Sequence, residues 1–234
     1  MSESGRDFTR DAARYDAWYQ TPWGSHAEAE ELRLLLEMAR PRADERALDV
    51  GCGTGRMLAR MLALGLDARG AEPAHDMRAL ARWRLKRLGR HPGRVVCAEA
   101  EALPFADGAF DLVSAITVLE FVDDPAAAIR EMARVCRGRI FIGALNARSI
   151  YGARVLRGEA GETLSRARLR TPERLATLVT EHAGPHGLEV RTTVIGGQTG
   201  DALELAVQRR LDLRLRSARC GLGGFIGLVA EVQT

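Results

Sequence analysis

Short apolar runs alternate along the chain with longer segments in which apolar residues recur at helical spacing. Residues 47–50 form a run of the kind that a buried parallel strand requires on both faces. Within residues 57–62, apolar side chains recur every three or four positions, as on the buried side of an amphipathic helix. Gly51, Gly53 and Gly55 separate the two segments. This stretch therefore predicts a strand, a tight loop and a helix.

The same alternation continues through the middle of the chain. The pattern predicts further strands at residues 67–72, 94–98, 110–117 and 140–145, with helices at 74–88 and from Asp124 to Gly138. Strands that alternate regularly with helices form a mostly parallel sheet with helices on both faces. The sequence therefore predicts a doubly wound α/β fold.

The last third of the chain is less regular. A polar, arginine-rich excursion is expected at residues 146–170, and a helix at 171–184. Strands are predicted at 188–195 and 223–232, with a turn at Gly196-Gly197 between them. Two adjacent late strands indicate an antiparallel edge and bring the predicted sheet to seven strands.

The chain shows neither an internal repeat nor a linker, so we predict one domain over residues 1–234. Residues 1–40 form an N-terminal helical arm or lid in this prediction, with a helix that ends at Pro41. Aromatic residues cluster before that helix, and they are Phe8, Tyr15, Trp18, Tyr19 and Trp23. Such a cluster fits a lid over a ligand and a packed arm equally well.

The glycine loop has the features of an anion-binding site. Glycine lets a ligand approach the backbone closely, and a helix starting near Thr54 would direct its unpaired N–H groups at that ligand. The dinucleotide fingerprint G-x-G-x-x-G fails because Arg56 stands at the third glycine. The phosphate loop G-x-x-x-x-G-K-[ST] fails because no Lys-Ser/Thr pair follows. We expect a phosphate or carboxylate group here.

Two carboxylates accompany this loop. Asp49 precedes the first glycine, and a carboxylate at the end of an apolar strand is costly to bury without a cationic or donor partner. An amino group together with a carboxylate describes an amino-acid moiety. Glu72 follows Gly51 by twenty-one residues, the distance at which doubly wound folds place an acid that binds ribose hydroxyls. A solvated Asp49 and an exposed Glu72 are the structural alternatives.

Four segments in order match a known family. They are LDVGCGTG, AEP, AEALPFADGAFDLV and VLEFVDDPAAAIREMARV. Together they resemble the class I S-adenosylmethionine-dependent methyltransferases, in particular the small-molecule branch that includes the ubiquinone and menaquinone biosynthesis enzymes. The resemblance extends over residues 15–136. It implies a Rossmann-like fold and S-adenosyl-L-methionine as cofactor.

The resemblance also implies which residues hold the cofactor. The matching positions are Asp49, Gly51, Cys52, Gly53, Gly55, Glu72, Pro73, Met77, Glu99, Ala100, Thr117, Val118, Tyr15 and Tyr19. The glycines are implied to face the methionine part through backbone groups, and Asp49 to lie near its amino group. Glu72 takes the ribose and Met77 packs on the adenine.

The remaining matches concern the adenine edge and the transfer site. Glu99 stands at the acid that accepts from the adenine amino group, with the Ala100 N–H beside it. Thr117 and Val118 are implied to line the methyl-transfer site, and Tyr15 and Tyr19 resemble lid residues. No catalytic residue is assigned, because Phe121 stands where the family often has histidine.

Composition narrows the class of protein. A hydrophobic content of 46%, a charged content of 28% and a formal charge of +3 are those of a soluble globular protein without a nucleic-acid surface. Cys52, Cys97, Cys136 and Cys220 form no C-x-x-C pair, and the histidines have no metal-ligand spacing, so we expect a reduced, cytoplasmic protein without a metal site. No apolar run approaches the ~20 residues of a membrane span.

The function expected from these features is methyl transfer from S-adenosylmethionine to a small-molecule acceptor by in-line displacement. The alternative is a non-catalytic S-adenosylmethionine-binding protein or partner subunit on the same fold. An NAD-dependent dehydrogenase is disfavoured by Arg56. The protein is expected as a monomer or homodimer.

Overall fold

The computed structural model describes residues 12–159, 164, 166–193, 206, 210 and 221–232, and its centre is a seven-stranded sheet. The strands are β1 (Arg46–Val50), β2 (Asp67–Ala71), β3 (Val95–Val96), β4 (Phe110–Ile116), β5 (Cys136–Leu145), β6 (Gly187–Thr193) and β7 (Phe225–Glu231). The helices are α1 (12–18), α2 (Pro22–Leu34), α3 (Arg56–Ala63), α4 (His75–Arg87), α5 (Pro125–Val135), α6 (Ile150–Leu156) and α7 (Pro172–Ala183). A π-helical segment, Leu35–Ala39, continues α2, and a 3₁₀ turn, Pro92–Arg94, precedes β3.

The strand order is β3-β2-β1-β4-β5-β7-β6, and β7 runs in the opposite direction to the other six strands. This confirms the predicted doubly wound, mostly parallel fold, with antiparallel pairing towards the β6 edge. The order reverses between β1 and β4, where Val50 pairs with Ala115. Ligands bind at such a switch point because the loops that follow the two strands diverge there.

Side chains alternate between two buried clusters, one on each face of the sheet. In β1, Ala47 belongs to one cluster and Leu48 to the other; in β5, Phe141 and Ile140 divide in the same way. This alternation follows from the two-residue period of a strand. Because both faces are covered, the central strands read as continuous apolar runs in the sequence.

Helix ends follow the capping signals of the sequence. Asp124 accepts hydrogen bonds from the N–H groups of Ala126 and Ala127 at the start of α5. Thr171 caps α7, and Gly184 ends that helix in the left-handed conformation with φ of 55°. These contacts confirm the predicted helix starts at both positions.

The expectation that Gly138 closes α5 is wrong. The helix ends at Val135, β5 begins at once, and Gly138 lies within that strand. A Cβ atom at this position would come 2.4 Å from the carbonyl oxygen of Asp111, where the β4–β5 register is irregular. The glycine therefore permits a close approach of two strands and does not stop a helix.

Other differences concern element lengths. The third strand contains two residues where five were expected. The excursion at 146–170 contains α6, and it begins with Asn146, which is fully buried. Phe8, Cys220 and the predicted Gly196-Gly197 turn lie outside the described residues.

The helix expected before Pro41 packs on the sheet. A Cβ at Gly227 of β7 would come 3.0 Å from Leu34 Cδ1 and 3.0 Å from Met38 Sδ. Residues of α2 and the π-helical segment therefore belong to the layer that covers the sheet. Of the described part of the arm, α1 lies beside the glycine loop instead, as the next section describes.

Gly55 provides a test of the packing between α3 and α4. Its φ is 77°, and an added Cβ would lie 3.0 Å from Ala81 Cβ in α4. Gly89 has a φ of 66° with no atom within 4 Å of such a Cβ, so it is a matched control. We expect Gly89→Ala to lose about 1–2 kcal/mol of stability for the left-handed backbone alone, and Gly55→Ala to lose more because Ala81 must also move. Denaturant unfolding measures both losses, and equal losses would contradict a packing role for Gly55.

Candidate functional site

The loop between β1 and α3 has three glycines in the left-handed region, where an L side chain is strained. Their φ angles are 62° at Gly51, 53° at Gly53 and 77° at Gly55. A Cβ at Gly51 would lie 2.5 Å from a methyl group of Val118, which follows β4. The loop that follows β4 is therefore packed directly against the glycine loop.

Glu72 joins two backbone segments at the end of β2. Its Oε2 accepts a hydrogen bond from Gly53 N at 2.9 Å, and its Oε1 accepts one from Ala74 N at 2.8 Å. The side chain is buried, which raises the pKa of its carboxyl, while the two N–H groups oppose that rise. Each carboxylate oxygen has a second acceptor site, so ligand hydroxyls can bind here as well.

Asp49 presents a buried oxygen without a partner. Its Oδ1 accepts a hydrogen bond from Ser114 Oγ at 2.9 Å, whereas Oδ2 has no partner among the described residues. Burial raises the pKa of this carboxyl to about 7. Buried polar atoms in proteins are nearly always paired, so this oxygen indicates a ligand with a donor or cationic group.

A cavity lies between the glycine loop, α1, α2 and the end of β4. Three carboxylate residues, Glu28, Glu31 and Asp49, line it together with Arg56. Arg56 binds Glu28 through Nε at 2.9 Å and Nη2 at 2.8 Å, and its guanidinium lies 5.1 Å from the Tyr19 ring centre. The residue that breaks the dinucleotide fingerprint therefore attaches α2 to the loop.

Asp16 attaches α1 to the same loop. It accepts hydrogen bonds from Thr54 Oγ1 at 2.7 Å and from Arg84 Nη2 at 2.6 Å, and Arg56 Nη1 lies 3.7 Å away. Arg84 also donates to the Thr54 carbonyl at 2.9 Å. Three segments distant in sequence are thereby held together beside the cavity.

Both predicted lid tyrosines lie at the loop. The hydroxyls of Tyr15 and Tyr19 are 3.1 Å apart, and the Tyr15 ring lies 3.9 Å from the place of a Cβ on Gly53. Met77 is buried in a small cluster with Ala12, against which Tyr15 packs. The arm therefore covers both the loop and the residue expected beside an adenine.

The residues predicted to contact the edge of the adenine follow β3. Glu99 is half-buried and close enough to Glu72 that its charge raises the pKa of that carboxyl, and Ala100 beside it is buried. The carbonyl of half-buried Pro73 accepts a hydrogen bond from Arg78 Nη1 at 2.8 Å. These positions continue the surface that begins at Glu72.

Cys52 lines the cavity, although its thiol packs against β2. A Cβ at Gly70 would come 2.6 Å from the Cys52 sulfur, so a glycine in β2 makes room for this side chain. Burial raises the pKa of the thiol well above its ordinary value. Cys52 is therefore a neutral packing residue and not a thiolate.

Thr117 has an uncommon backbone conformation. Its φ is 54°, and its N–H donates to the Gly143 carbonyl at 2.8 Å. Non-glycine residues in this region carry roughly 1–3 kcal/mol of strain and are concentrated at functional sites. After this turn, the chain continues through half-buried Val118 to Glu120, beside the switch point.

The sequence motifs did not identify two carboxylates near the cavity. Glu31 of α2 is 8% exposed and lines the cavity, and its carboxylate has no hydrogen-bond partner among the described residues. Glu120 is 2% exposed, and its Oε2 has no partner in the described part of the chain. The one available signal was the acidic run of residues 28–31 in a helix that also has a buried face.

Metal binding and membrane spanning can both be assessed in the part of the chain that the structure describes. They contain no group of three or more His, Cys, Asp or Glu side chains that could hold a metal ion. Within the same residues, every helix is too short or too polar to cross a bilayer.

Comparison with known proteins finds a family match for the central part of the chain. Residues 48–141 match the family model described as a methyltransferase domain. An uncharacterised protein of Mycobacterium bovis is 38% identical over 162 residues, which are 65% of this chain and 51% of that protein. A ubiquinone biosynthesis O-methyltransferase of Thiobacillus denitrificans is 30% identical over 122 residues, which are 51% of this chain and 53% of that enzyme. The chain thus spans about half the length of these two curated relatives.

A solved structure extends the likeness to the whole fold. An S-adenosylmethionine-dependent methyltransferase of Thermotoga maritima, described as a possible histamine N-methyltransferase, has a TM-score of 0.74. It is 23% identical, and the match covers 96% of this chain and 97% of that one. Strand order, glycine loop and sequence match agree with the resemblance read from the motifs. The match to the methyltransferase-domain model covers residues 48–141, and the chain shares the fold of this S-adenosylmethionine-dependent methyltransferase.

Proposed function

We propose that this protein transfers the methyl group of S-adenosylmethionine to a small-molecule acceptor. The observation that carries the proposal is Asp49, whose buried Oδ2 lacks a partner beside the glycine loop. An ammonium group such as that of the cofactor's methionine part fits this oxygen in charge and in donor capacity. The proposal therefore rests on a buried acceptor oxygen that lacks a hydrogen-bond donor as well as on the motif.

The other cofactor contacts are proposed on the same basis. The backbone of Gly51 and Gly53 is proposed to face the methionine part, while the Gly53 N–H itself donates to Glu72, and Glu72 is proposed to meet the ribose hydroxyls. Met77 packs on the adenine, whose edge meets Glu99 and Ala100. Pro73, Cys52 and Gly55 shape the loop without a charged contact.

The acceptor side is proposed to lie at Thr117 and Val118, with Tyr15 and Tyr19 above the loop. When bound, the cofactor supplies a methyl group already activated by its sulfonium. The protein then needs to orient the acceptor, exclude water and hold the site closed. Alignment of two reactants can lower a barrier by about 7–11 kcal/mol, so the proposal requires neither a metal nor a nucleophilic triad.

Two findings support an acceptor of small size. The cavity is bounded by α1 and α2, which are fixed to the loop through Asp16 and Arg56. The ubiquinone biosynthesis enzyme among the relatives is named for a small-molecule pathway. A cytoplasmic monomer or homodimer that binds no nucleic acid remains a prediction.

Cofactor binding and turnover test the proposal together. Calorimetry should show micromolar binding of S-adenosylmethionine or S-adenosylhomocysteine and no comparable binding of NAD. A methyl-labelled donor should then label members of a broad acceptor panel. Binding of NAD alone would overturn the assignment, and tight cofactor binding without transfer to any acceptor would favour the non-catalytic alternative.

Replacement of Glu72 tests the ribose contact. Glu72→Ala removes the acceptor of the Gly53 and Ala74 N–H groups as well as that of the ribose. Loss of a hydrogen bond to a charged group costs about 1.5–3 kcal/mol, so S-adenosylhomocysteine affinity should fall about 10–100-fold. Asp76→Asn is the control, because Asp76 lies in α4 shortly after Glu72 and its exposed carboxylate contacts His75. Unchanged affinity in a folded Glu72→Ala variant would leave Glu72 with no ligand role.

Hydrogen exchange tests whether the arm acts as a lid. Lids come from the less stable parts of a structure, so protection over residues 12–23 should rise when S-adenosylhomocysteine binds. Helix α7 serves as an internal control, since it packs against α5, β6 and β7 away from the loop. Tyr15→Ala and Tyr19→Ala should weaken binding or turnover without unfolding the protein. Equal protection with and without ligand, with both variants unfolded, would make the arm a fixed structural strap.

A further inference from the structure

The carboxylates around the cavity differ in whether the protein neutralises them. Glu28 is paired with Arg56, and Glu72 accepts two backbone N–H groups. Asp49 is assigned above to the cofactor's ammonium group. Glu31 and Glu120 then remain as two buried acids that form no ion pair with a described residue. Arg56 lowers the pKa of Glu31 and Arg170 that of Glu120, but each guanidinium is hydrogen-bonded elsewhere.

Glu31 is unusual even within its own helix. The neighbouring Glu30 is 5% exposed, and its carboxylate is bound by Arg33 at 2.8 Å and by the Thr193 hydroxyl at 2.7 Å. Glu31 is about as deeply buried, but it lines the cavity, and its carboxylate accepts no hydrogen bond from the described residues. Burial and the charges of Glu28 and Glu120 raise the pKa of Glu31 to about 8, against the opposing effect of the Arg56 charge.

Glu120 follows by two residues Val118, the residue that packs against Gly51 of the glycine loop. Its Oε1 accepts from Leu145 N at 2.6 Å, and its Oε2 is buried without a described partner. Arg170 is near enough to lower the pKa of this carboxyl, but its Nη1 donates to the carbonyls of Leu119 and Arg168. The effect of burial is larger than that of Arg170 and raises the pKa of the Glu120 carboxyl to about 7.

Aromatic side chains complete the surroundings of Glu31. Tyr15 and Tyr19 line the same cavity as Glu31. Aromatic faces attract organic cations, and a carboxylate beside them adds a charge-assisted hydrogen bond. An ionised carboxylate buried without a partner is costly, and a cationic ligand removes that cost.

We propose that the methyl acceptor carries an ammonium group that binds Glu31, with Glu120 as the second carboxylate of the same subsite; this ammonium group anchors the acceptor and is not the atom that receives the methyl group. The position fits, because Glu120 follows Thr117 and Val118, which the proposed function places at the transfer site. This inference rests on that function for the identity of the second ligand. The experiment must separate this binding mode from two others. In one, the acceptor is a neutral hydroxyl compound; in the other, Glu31 binds the cofactor's own ammonium group.

The test measures binding of simple amines to the full chain saturated with S-adenosylhomocysteine. The probes are straight-chain primary amines from ethylamine to hexylamine, each compared with the alcohol of the same length. Calorimetry should show at least one amine binding tenfold or more tightly than its alcohol. Glu31→Gln, which removes the charge and keeps the shape, should reduce that affinity at least tenfold and leave S-adenosylhomocysteine affinity within twofold.

Two further variants guard against indirect effects. Glu37→Gln is the matched control, because Glu37 follows α2 in the π-helical segment and its exposed carboxylate binds Arg33 at the surface. It should leave amine binding unchanged. Glu120→Gln tests the second carboxylate separately and should weaken the amine several-fold.

Specific results would overturn the inference. Amines that bind no better than their alcohols, or an amine affinity unaffected by Glu31→Gln, would exclude an ammonium subsite at Glu31. A Glu31→Gln variant that loses S-adenosylhomocysteine and not the amine would assign Glu31 to the cofactor. Failure of the wild-type protein to bind S-adenosylhomocysteine at all would instead refute the proposed function, so the two failures are distinguishable.

Discussion

The site depends on one carboxylate that accepts two backbone N–H groups from different loops. Glu72 fixes Gly53 in the glycine loop and Ala74 at the start of α4. Glycines at positive φ have little intrinsic preference for one conformation, so a loop rich in them needs such an external contact to be ordered. The same buried acid can then meet ligand hydroxyls without reorganisation, because the structure has already fixed its position.

A second set of contacts determines how the arm meets this loop. Asp16, Thr54 and Arg84 form hydrogen bonds between α1, the loop and α4, and Arg56 binds Glu28. Exposed ion pairs contribute little to stability, whereas these are partly buried and share partners. Their effect is to enclose the cavity with side chains from four segments and thereby reduce its contact with water.

Sequence reasoning succeeded where a local signal had one physical meaning. The run before Gly51 had to be a buried strand, and the distance from Gly51 to Glu72 placed that acid at the end of the next strand.

Gly138 was misread because a glycine after a helical pattern usually ends the helix, while here the requirement came from Asp111 on a neighbouring strand. Arg56 was treated as a defect in a fingerprint, and only the fold shows its partners Glu28 and Tyr19. Glu31 and Glu120 are far apart in sequence, so no motif could join them.

The raised pKa values of Asp49, Glu31 and Glu120 link stability, pH and ligand charge. Each acid has a folded-state pKa above its ordinary value because of burial. The folded protein then holds protons that the unfolded chain has released, so these groups lower stability as pH rises from their ordinary pKa towards about 7–8. A bound cation reverses this effect, since it favours the ionised carboxylate and releases the proton. The carboxylates therefore destabilise the folded protein most above about pH 8, where they are ionised without a positive partner, and a cationic ligand relieves that condition.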